Sequence, residues 1–384
     1  MRHYRYDVRD MLQAFVLAFD IRRVMCGTLA IAWTIVVILL FYGIFAWRAA
    51  SGNAPDYNAS EVAWRMLTDT QPTPERIALW AGMLGVWWLG FSCMATPILR
   101  SGAMEVALDR RLKFADMSAA SRHLAPRVTW APLIAMFVPT LMLGLCALWA
   151  LLAKIPGVAG EICTLVGLPF ALLFGFIGGL ALLTTLLAAP LMGPAAVVEG
   201  HDVLEALSRA VSYLYQRPFR FLGYALFQLI GKVAALAFSA LVLCLSWGFV
   251  AVGLYIVGEG ALAEQSVRLA LAPGSVFPAP EATSGVPHVV ILPAARMLAG
   301  LFWSTALFAA GWWLVVVLGM DLFRYLLLRY EVDGVTYNEI MDPQQYMAAH
   351  KHLNAIESAE QAAKSREETP TPAPATPAPV ETKS

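Results

Sequence analysis

Lys232, in the stretch LIGKVAALAF, is the one charged side chain standing well inside an apolar run of this chain. A lysine there either meets a substrate anion or lipid phosphate, or carries its ammonium along its own stem to the interface. The largely apolar residues 221–231 before it are too few to bury it from that side, so snorkelling is the expectation. Arg209, Arg217 and Arg220 precede it, while Arg324 and Arg329 follow the last apolar run. Each has the chemistry to meet a lipid headgroup or an anionic substrate. For Arg324 and Arg329, ordinary anchoring at a positive membrane face is the preferred reading.

Other reactive types are placed less tellingly. His201 stands beside Glu199 and Asp202, where a solvated loop is expected. His350 and His352 lack a carboxylate or cysteine at ligand spacing, so no metal site is expected. Cys26, Cys93, Cys146, Cys163 and Cys244 fall within or at the ends of apolar runs and read as small apolar filler. The chain has no HExxH, phosphate-binding glycine loop or nucleophile elbow, and no cofactor is expected. No Asp or Glu falls inside the six apolar cores, Glu161 and Asp321 lying just outside the fourth and sixth. Ion-coupled transport depends on such groups, so their deficit argues against it.

These residues are set in 384 positions that are 59% hydrophobic and 14% charged. Soluble chains run at about 45–50% and about 25%, so too few charges are present to cover a soluble fold. A globular cytosolic enzyme, a disordered chain and a disulfide scaffold are excluded. With 27 basic and 27 acidic residues, nothing recommends nucleic acid as a partner. A hydrocarbon core about 30 Å thick needs roughly 20 apolar residues in a helix, and long continuous runs favour helices over a barrel. The expected fold is all-α, a polytopic bundle of six spans at 24–47, 77–99, 128–153, 163–189, 233–257 and 297–320. Pro190 and Pro194 should end the fourth, and residues 221–232 should form a tilted or interfacial lead-in to the fifth. A re-entrant 190–198, or two crossings within 221–257, would be the alternatives.

Twenty-one of the 27 Lys and Arg side chains fall on one side of such a bundle, the side of both termini. By the positive-inside rule that side is cytoplasmic in a bacterial inner membrane. No cleavable signal peptide is indicated. Residues 1–23 read as an amphipathic cytoplasmic segment, 24–330 as the membrane domain, 331–368 as a polar cytoplasmic segment, and 369–384 as a disordered Pro/Ala/Thr tail.

Two cytoplasmic segments look alike. Ala95-Thr96-Pro97 and Ala189-Pro190 each follow a span, and Pro126 and Pro218 stand 29 and 28 residues after the first prolines. Between them lies a candidate interfacial helix, with Asp116 and Arg122 in one copy and Glu205 and Arg209 in the other. In the second copy Val203, Leu207, Ala210, Val211 and Leu214 share an apolar face, with Asp202 as N-cap. A parallel duplication is one reading, and a coincidence of two long loops is the other.

Residues 189–226 carry Pro194, Val198, Glu199, Gly200, Ala206, Leu207 and Arg209, then an aromatic- and arginine-rich re-entry. The segment resembles a broad group of uncharacterised bacterial six-span proteins, including the membrane domain attached to some glycerophosphodiester phosphodiesterases. The resemblance implies a helical membrane domain and no reaction. No phosphodiesterase catalytic domain accompanies it.

Gly175 and Gly179 have the spacing that lets helices approach closely in lipid. An internal packing contact is expected there, with a homo-oligomer interface as the alternative. Together these features predict a non-enzymatic scaffold or accessory component whose partners are membrane lipids and other membrane proteins. The alternative is a permease or lipid-handling carrier using the groove between the repeated hairpins.

Overall fold

The computed structural model describes residues 4–51, 74–152, 154–199, 202–258 and 288–337, with a few positions between 260 and 267. The expectations for His201, His350 and His352, for the tail, and for most of the segments 331–368 and 258–295 lie outside the described residues. A 3-10 turn at Val8–Leu12 leads into α1 (Gln13–Leu17) and α2 (Ile21–Ser51). There follow α3 (Pro74–Leu108), α4 (Phe114–Ala135), α5 (Phe137–Leu152), α6 (Val158–Glu199), α7 (Val203–Gln216), α8 (Pro218–Ile256) and α9 (His288–Asp333). No strand occurs among the described residues. Six stretches are long and apolar enough to cross a membrane: α2, α3, α4 with α5, α6, α8 and α9. The chain is a polytopic helical membrane protein.

The helices overshoot the expected spans. α6 has 42 residues, about 63 Å at 1.5 Å per residue, twice the hydrocarbon thickness of about 30 Å. Pro190 and Pro194 therefore do not end the fourth span, and 190–198 does not turn back, because both prolines lie inside α6. Pro97 likewise sits inside α3, and Pro126 and Pro132 inside α4. An interior proline removes one helix hydrogen bond, but a chain in or near lipid has no better partner for its backbone and stays helical. The third span accordingly begins before Pro126, and it breaks at Met136. Pro139 then falls in the first turn of α5, where its missing N–H costs nothing. Residues 221–232 are the first turns of α8, continuous with the fifth span rather than a separate lead-in.

The N-terminal segment is not one amphipathic helix. Asp7 caps the 3-10 turn by accepting from the Val8 amide at 2.6 Å, and Asp20 accepts from the Arg22 amide at 3.1 Å to start α2. Two acidic N-caps thus divide the segment. Met11, Ala14, Leu17 and Ala18 are buried, with Ala14 against Gly319 of α9, while Leu12, Val16 and Phe19 stay exposed. Apolar on both sides, this segment suits a position between the bundle and lipid.

Burial gathers at the end of the bundle that holds α1, the close of α3, α6 and α9, and α7, here called the arginine-rich end. α9 is the central helix: 56% of its most apolar window is buried, against 6% for α3, for α4 with α5, and for α6. Glycines set its approaches. A Cβ on Gly27 would run into the Gly311 carbonyl, one on Gly311 into Thr28, and one on Gly231 into Met320. The expectation for Gly175 and Gly179 is corrected. Their α-carbons face open space, and it is Gly178 that packs on another helix, against Met142 of α5.

Candidate functional site

The overhanging helix ends enclose charges that lie outside the apolar cores in sequence. Glu105, near the end of α3, is buried and accepts from Arg23 of α2 at 2.6 Å. Arg23 also donates to Ser101 Oγ at 2.9 Å and to the Leu17 carbonyl at 2.9 Å, so one guanidinium ties α1, α2 and α3 together. The more exposed Arg111 approaches the other Glu105 oxygen at 3.6 Å.

Glu199, the last residue of α6, is held in a similar way. Arg329 of α9 lies 3.0 Å from Oε1, Tyr325 donates to the same oxygen at 2.6 Å, and Arg209 of α7 lies 2.7 Å from Oε2. Arg209 also reaches Glu205 at 2.7 Å, one helical turn back. Burial works against the Arg209 cation, but Glu199, with Tyr325 and Glu205 behind it, holds its pKa above the ordinary arginine value. Arg100 joins α3 to α6 beside these glutamates by donating to the Val197 carbonyl at 2.9 Å.

A third group joins α8 to α9. Asp321 accepts from Lys232 at 2.9 Å and from Gln228. Arg324 lies over the Phe221 ring, 4.0 Å from its centre, and donates to Gln228 Oε1 at 3.1 Å. Nearer the helix ends, Glu331 accepts from Arg220 and from Tyr224, each at 2.5 Å. Tyr213 of α7 donates to Asp333. Burial, then that hydrogen bond, pushes the Tyr213 phenol above its usual pKa.

Several expectations change. Lys232 does not run free to the interface; its ammonium is paired with Asp321 because α8 brings it against α9. Arg324 and Arg329 do not present their guanidinium groups to headgroups, being 3% and 7% exposed inside the helix contacts. Arg209 and Arg220 are paired with glutamates. Among the arginines singled out in the sequence, Arg324 and Arg217 make no ion pair among the described residues. Arg324 is buried and held by Gln228 and the Phe221 ring, whereas Arg217 is exposed at the turn between α7 and α8. A deficit of buried charge does not hold either: Arg23, Glu105, Glu199 and Asp321 are all buried, since the overhangs pack on one another beyond the apolar runs. Of the cysteines, Cys26 alone is buried, while Cys93, Cys163 and Cys244 are exposed on their helices.

α7 forms at the expected residues, Val203–Gln216, although the Asp202 side chain makes no cap hydrogen bond. Ala210 and Leu214 of the expected apolar face are buried, and Val203, Leu207 and Val211 are partly buried against the same core. Ala206 and Tyr213 extend the face beyond the aliphatic pattern. Arg23, Glu105, Gln228 and Tyr325 were missed as well. One signal was available: Glu105 and Glu199 stand 8 and 9 residues after the matching Pro97 and Pro190.

Chemically, the arrangement converts charges into cross-links between helices. Among the described residues no three His, Cys, Asp or Glu gather to hold a metal ion. At the opposite end of the bundle a cavity of about 80 Å³ is lined by Trp247, Ala251, Leu254, Val267, Leu298 and Phe302, remote from these charges. Comparison with family models, with curated proteins and with solved structures finds no match for this chain.

Proposed function

We propose that this chain is a multi-pass protein of the bacterial inner membrane, with both termini in the cytoplasm, that acts without catalysis as a scaffold or accessory component for other membrane proteins. The observation that carries this reading is the engagement of the buried carboxylates. Glu105, Glu199 and Asp321 are each held by cations from other elements, which fastens α2 to α3, and α6, α7, α8 and α9 to one another. The Arg100 hydrogen bond to the Val197 carbonyl joins the two sets. Removing one partner from a buried pair costs about 3–5 kcal/mol, so such groups suit a fixed frame better than repeated loading and release. Among the described residues the apolar faces of α5, α6 and α8 stay exposed and are available to lipid or to other helices.

The test is purification from membranes of the source organism after mild cross-linking, with a flux assay in liposomes alongside. The scaffold reading expects a stoichiometric membrane partner and no solute movement. Solute movement that Lys232→Ala abolishes would overturn it. A second reading, a lipid-handling carrier, is favoured by the one-sided packing of α8, which buries Phe221, Gln228, Gly231, Ala235 and Ser239 and leaves its remaining faces exposed. Lipid transfer between labelled vesicles would select that reading.

A further inference from the structure

α8 leaves most of its circumference uncovered. From its first turns upward, Leu222, Leu226, Leu229, Ile230 and Val233 are each more than half exposed. At the foot of this apolar wall the chain turns from α7 into α8 through Arg217, which is exposed and adopts φ −137°, ψ 60° between the two helices. Tyr215 stands two residues before it and is 66% exposed; Phe219 stands two residues after and is 89% exposed. The Tyr215 hydroxyl lies 2.7 Å from Thr184 Oγ1, which fixes the corner against α6.

Aromatic rings left this open are favoured where hydrocarbon gives way to headgroups, with the ring in the apolar layer and polar groups just outside it. That places the Arg217 guanidinium at the level of lipid phosphates. The neighbouring cations are already neutralised within the protein, Arg209 by Glu199 and Glu205, Arg220 by Glu331, and Lys232 by Asp321. Arg217 has no such carboxylate. A planar guanidinium can grip a phosphodiester through two parallel N–H···O bonds. The surrounding surface supplies what the rest of a lipid needs, rings for the glycerol region and leucines for an acyl chain.

We propose that the α7–α8 corner binds the headgroup of an anionic phospholipid, with Arg217 as the charged contact, Tyr215 and Phe219 flanking it, and the exposed face of α8 against an acyl chain. Charge complementarity selects the lipid class. A zwitterionic headgroup brings its own cation beside the phosphate and weakens the attraction, whereas a headgroup with net negative charge does not. The site stands apart from the scaffold reading and survives its failure.

Native mass spectrometry of the full chain in detergent tests this, titrating phosphatidylglycerol, phosphatidylcholine of matched acyl chains, and inorganic phosphate. The expected result is a tight phosphatidylglycerol adduct that phosphatidylcholine and phosphate do not reproduce. One basic contact is worth about a fivefold change in affinity, so Arg217→Gln should weaken the adduct about fivefold and Arg217→Lys less. Phe219→Ser should weaken it as well. Lys113→Gln, an exposed cation on the loop before α4, should leave it unchanged. Arg217 is exposed and outside the ion-pair network, so these variants keep the wild-type melting temperature. Equal binding of phosphatidylcholine, competition by free phosphate at the same concentration, an unchanged adduct in Arg217→Gln, or an equal loss in Lys113→Gln would each overturn the proposal.

Discussion

Arg23 and Glu105 join the beginning of α2 to the end of α3 through a 2.6 Å ion pair in which both side chains are almost fully buried. Arg329 and Glu199 repeat the relationship between the end of α9 and the end of α6. In each case a second, more exposed arginine from the following segment completes the grip, Arg111 at Glu105 and Arg209 at Glu199. The two hairpins diverge after that point. Pro126 is absorbed into the continuous helix α4, whereas Pro218 opens a new helix because Arg217 before it leaves helical geometry.

The Arg23–Glu105 pair makes a quantitative prediction. Glu105→Ala strands a buried guanidinium and should cost about 3–5 kcal/mol, while replacing both partners by apolar residues is often close to neutral. Thermal unfolding in detergent, followed by tryptophan fluorescence, should show a large fall in melting temperature for Glu105→Ala. The double variant Arg23→Met with Glu105→Leu should recover part of it. A single variant that melts like the wild type would mean that the pair does not hold α2 to α3.

The glycines divide into those that are used and those that are not. Gly311→Val places branched carbon where Thr28 passes, and overpacking of this kind costs about 1–3 kcal/mol at a crossing with no free space. Gly175→Leu and Gly179→Leu project into open surroundings and should shift stability by less than about 0.5 kcal/mol. Size-exclusion profiles after mild heating compare the two classes. Early aggregation of the Gly175 and Gly179 variants, with Gly311→Val unaffected, would reverse the assignment of packing faces.

The same contrast explains how much of the molecule was legible in the sequence. The number and approximate place of the spans follow from the apolar runs, because solvation by lipid is a property of each segment by itself. The place of α7 between Asp202 and Pro218 was legible for a similarly local reason. The passage of α6 through Pro190 and Pro194 was not, since a rule learned in water overstates how readily proline ends a helix where the backbone has nowhere else to bond. Nor were the partners of Lys232, Arg324 and Arg329. Those depend on the register at which α8 meets α9, which the close approach of Gly231 to Met320 helps to set and composition does not report.

Tyr337 predicts a pH dependence. It packs edge-on against Tyr4 with ring centres 5.1 Å apart and tilted on Tyr6 at 4.6 Å, and its buried hydroxyl has no hydrogen-bond partner. Burial, then the Asp10 carboxylate, raises its pKa above the ordinary tyrosine value of 10. The folded protein therefore keeps this proton at pH values where the unfolded chain has released it. Stability from this group is intact below pH 10 and declines as pH rises above it. Tyr337→Phe keeps the ring contacts, removes an unsatisfied hydroxyl, and should be neutral or stabilising at pH 7. Above pH 10 it should flatten the loss of melting temperature. An alkaline profile identical to that of the wild type would show that the phenol ionises freely in the folded state.

Orientation supplies the final prediction. Six crossings return the chain to the side from which it started, and the end that carries the overhanging, cross-linked helices is also the end that holds most of the Lys and Arg. Translocating that end would carry Arg23, Glu105, Glu199 and Arg329 through the hydrocarbon, at about 2.5–3.5 kcal/mol for each charged group on an insertion scale. The turn between α5 and α6, with Lys154 as its only described charge before Gly157, presents a much smaller barrier. Green fluorescent protein fused at either terminus should therefore fluoresce, and alkaline phosphatase inserted near Gly157 should be active. Termini that report opposite compartments would require an odd number of crossings, and the pairing of α6 with α9 as parallel neighbours through Glu199 and Arg329 would fail with it.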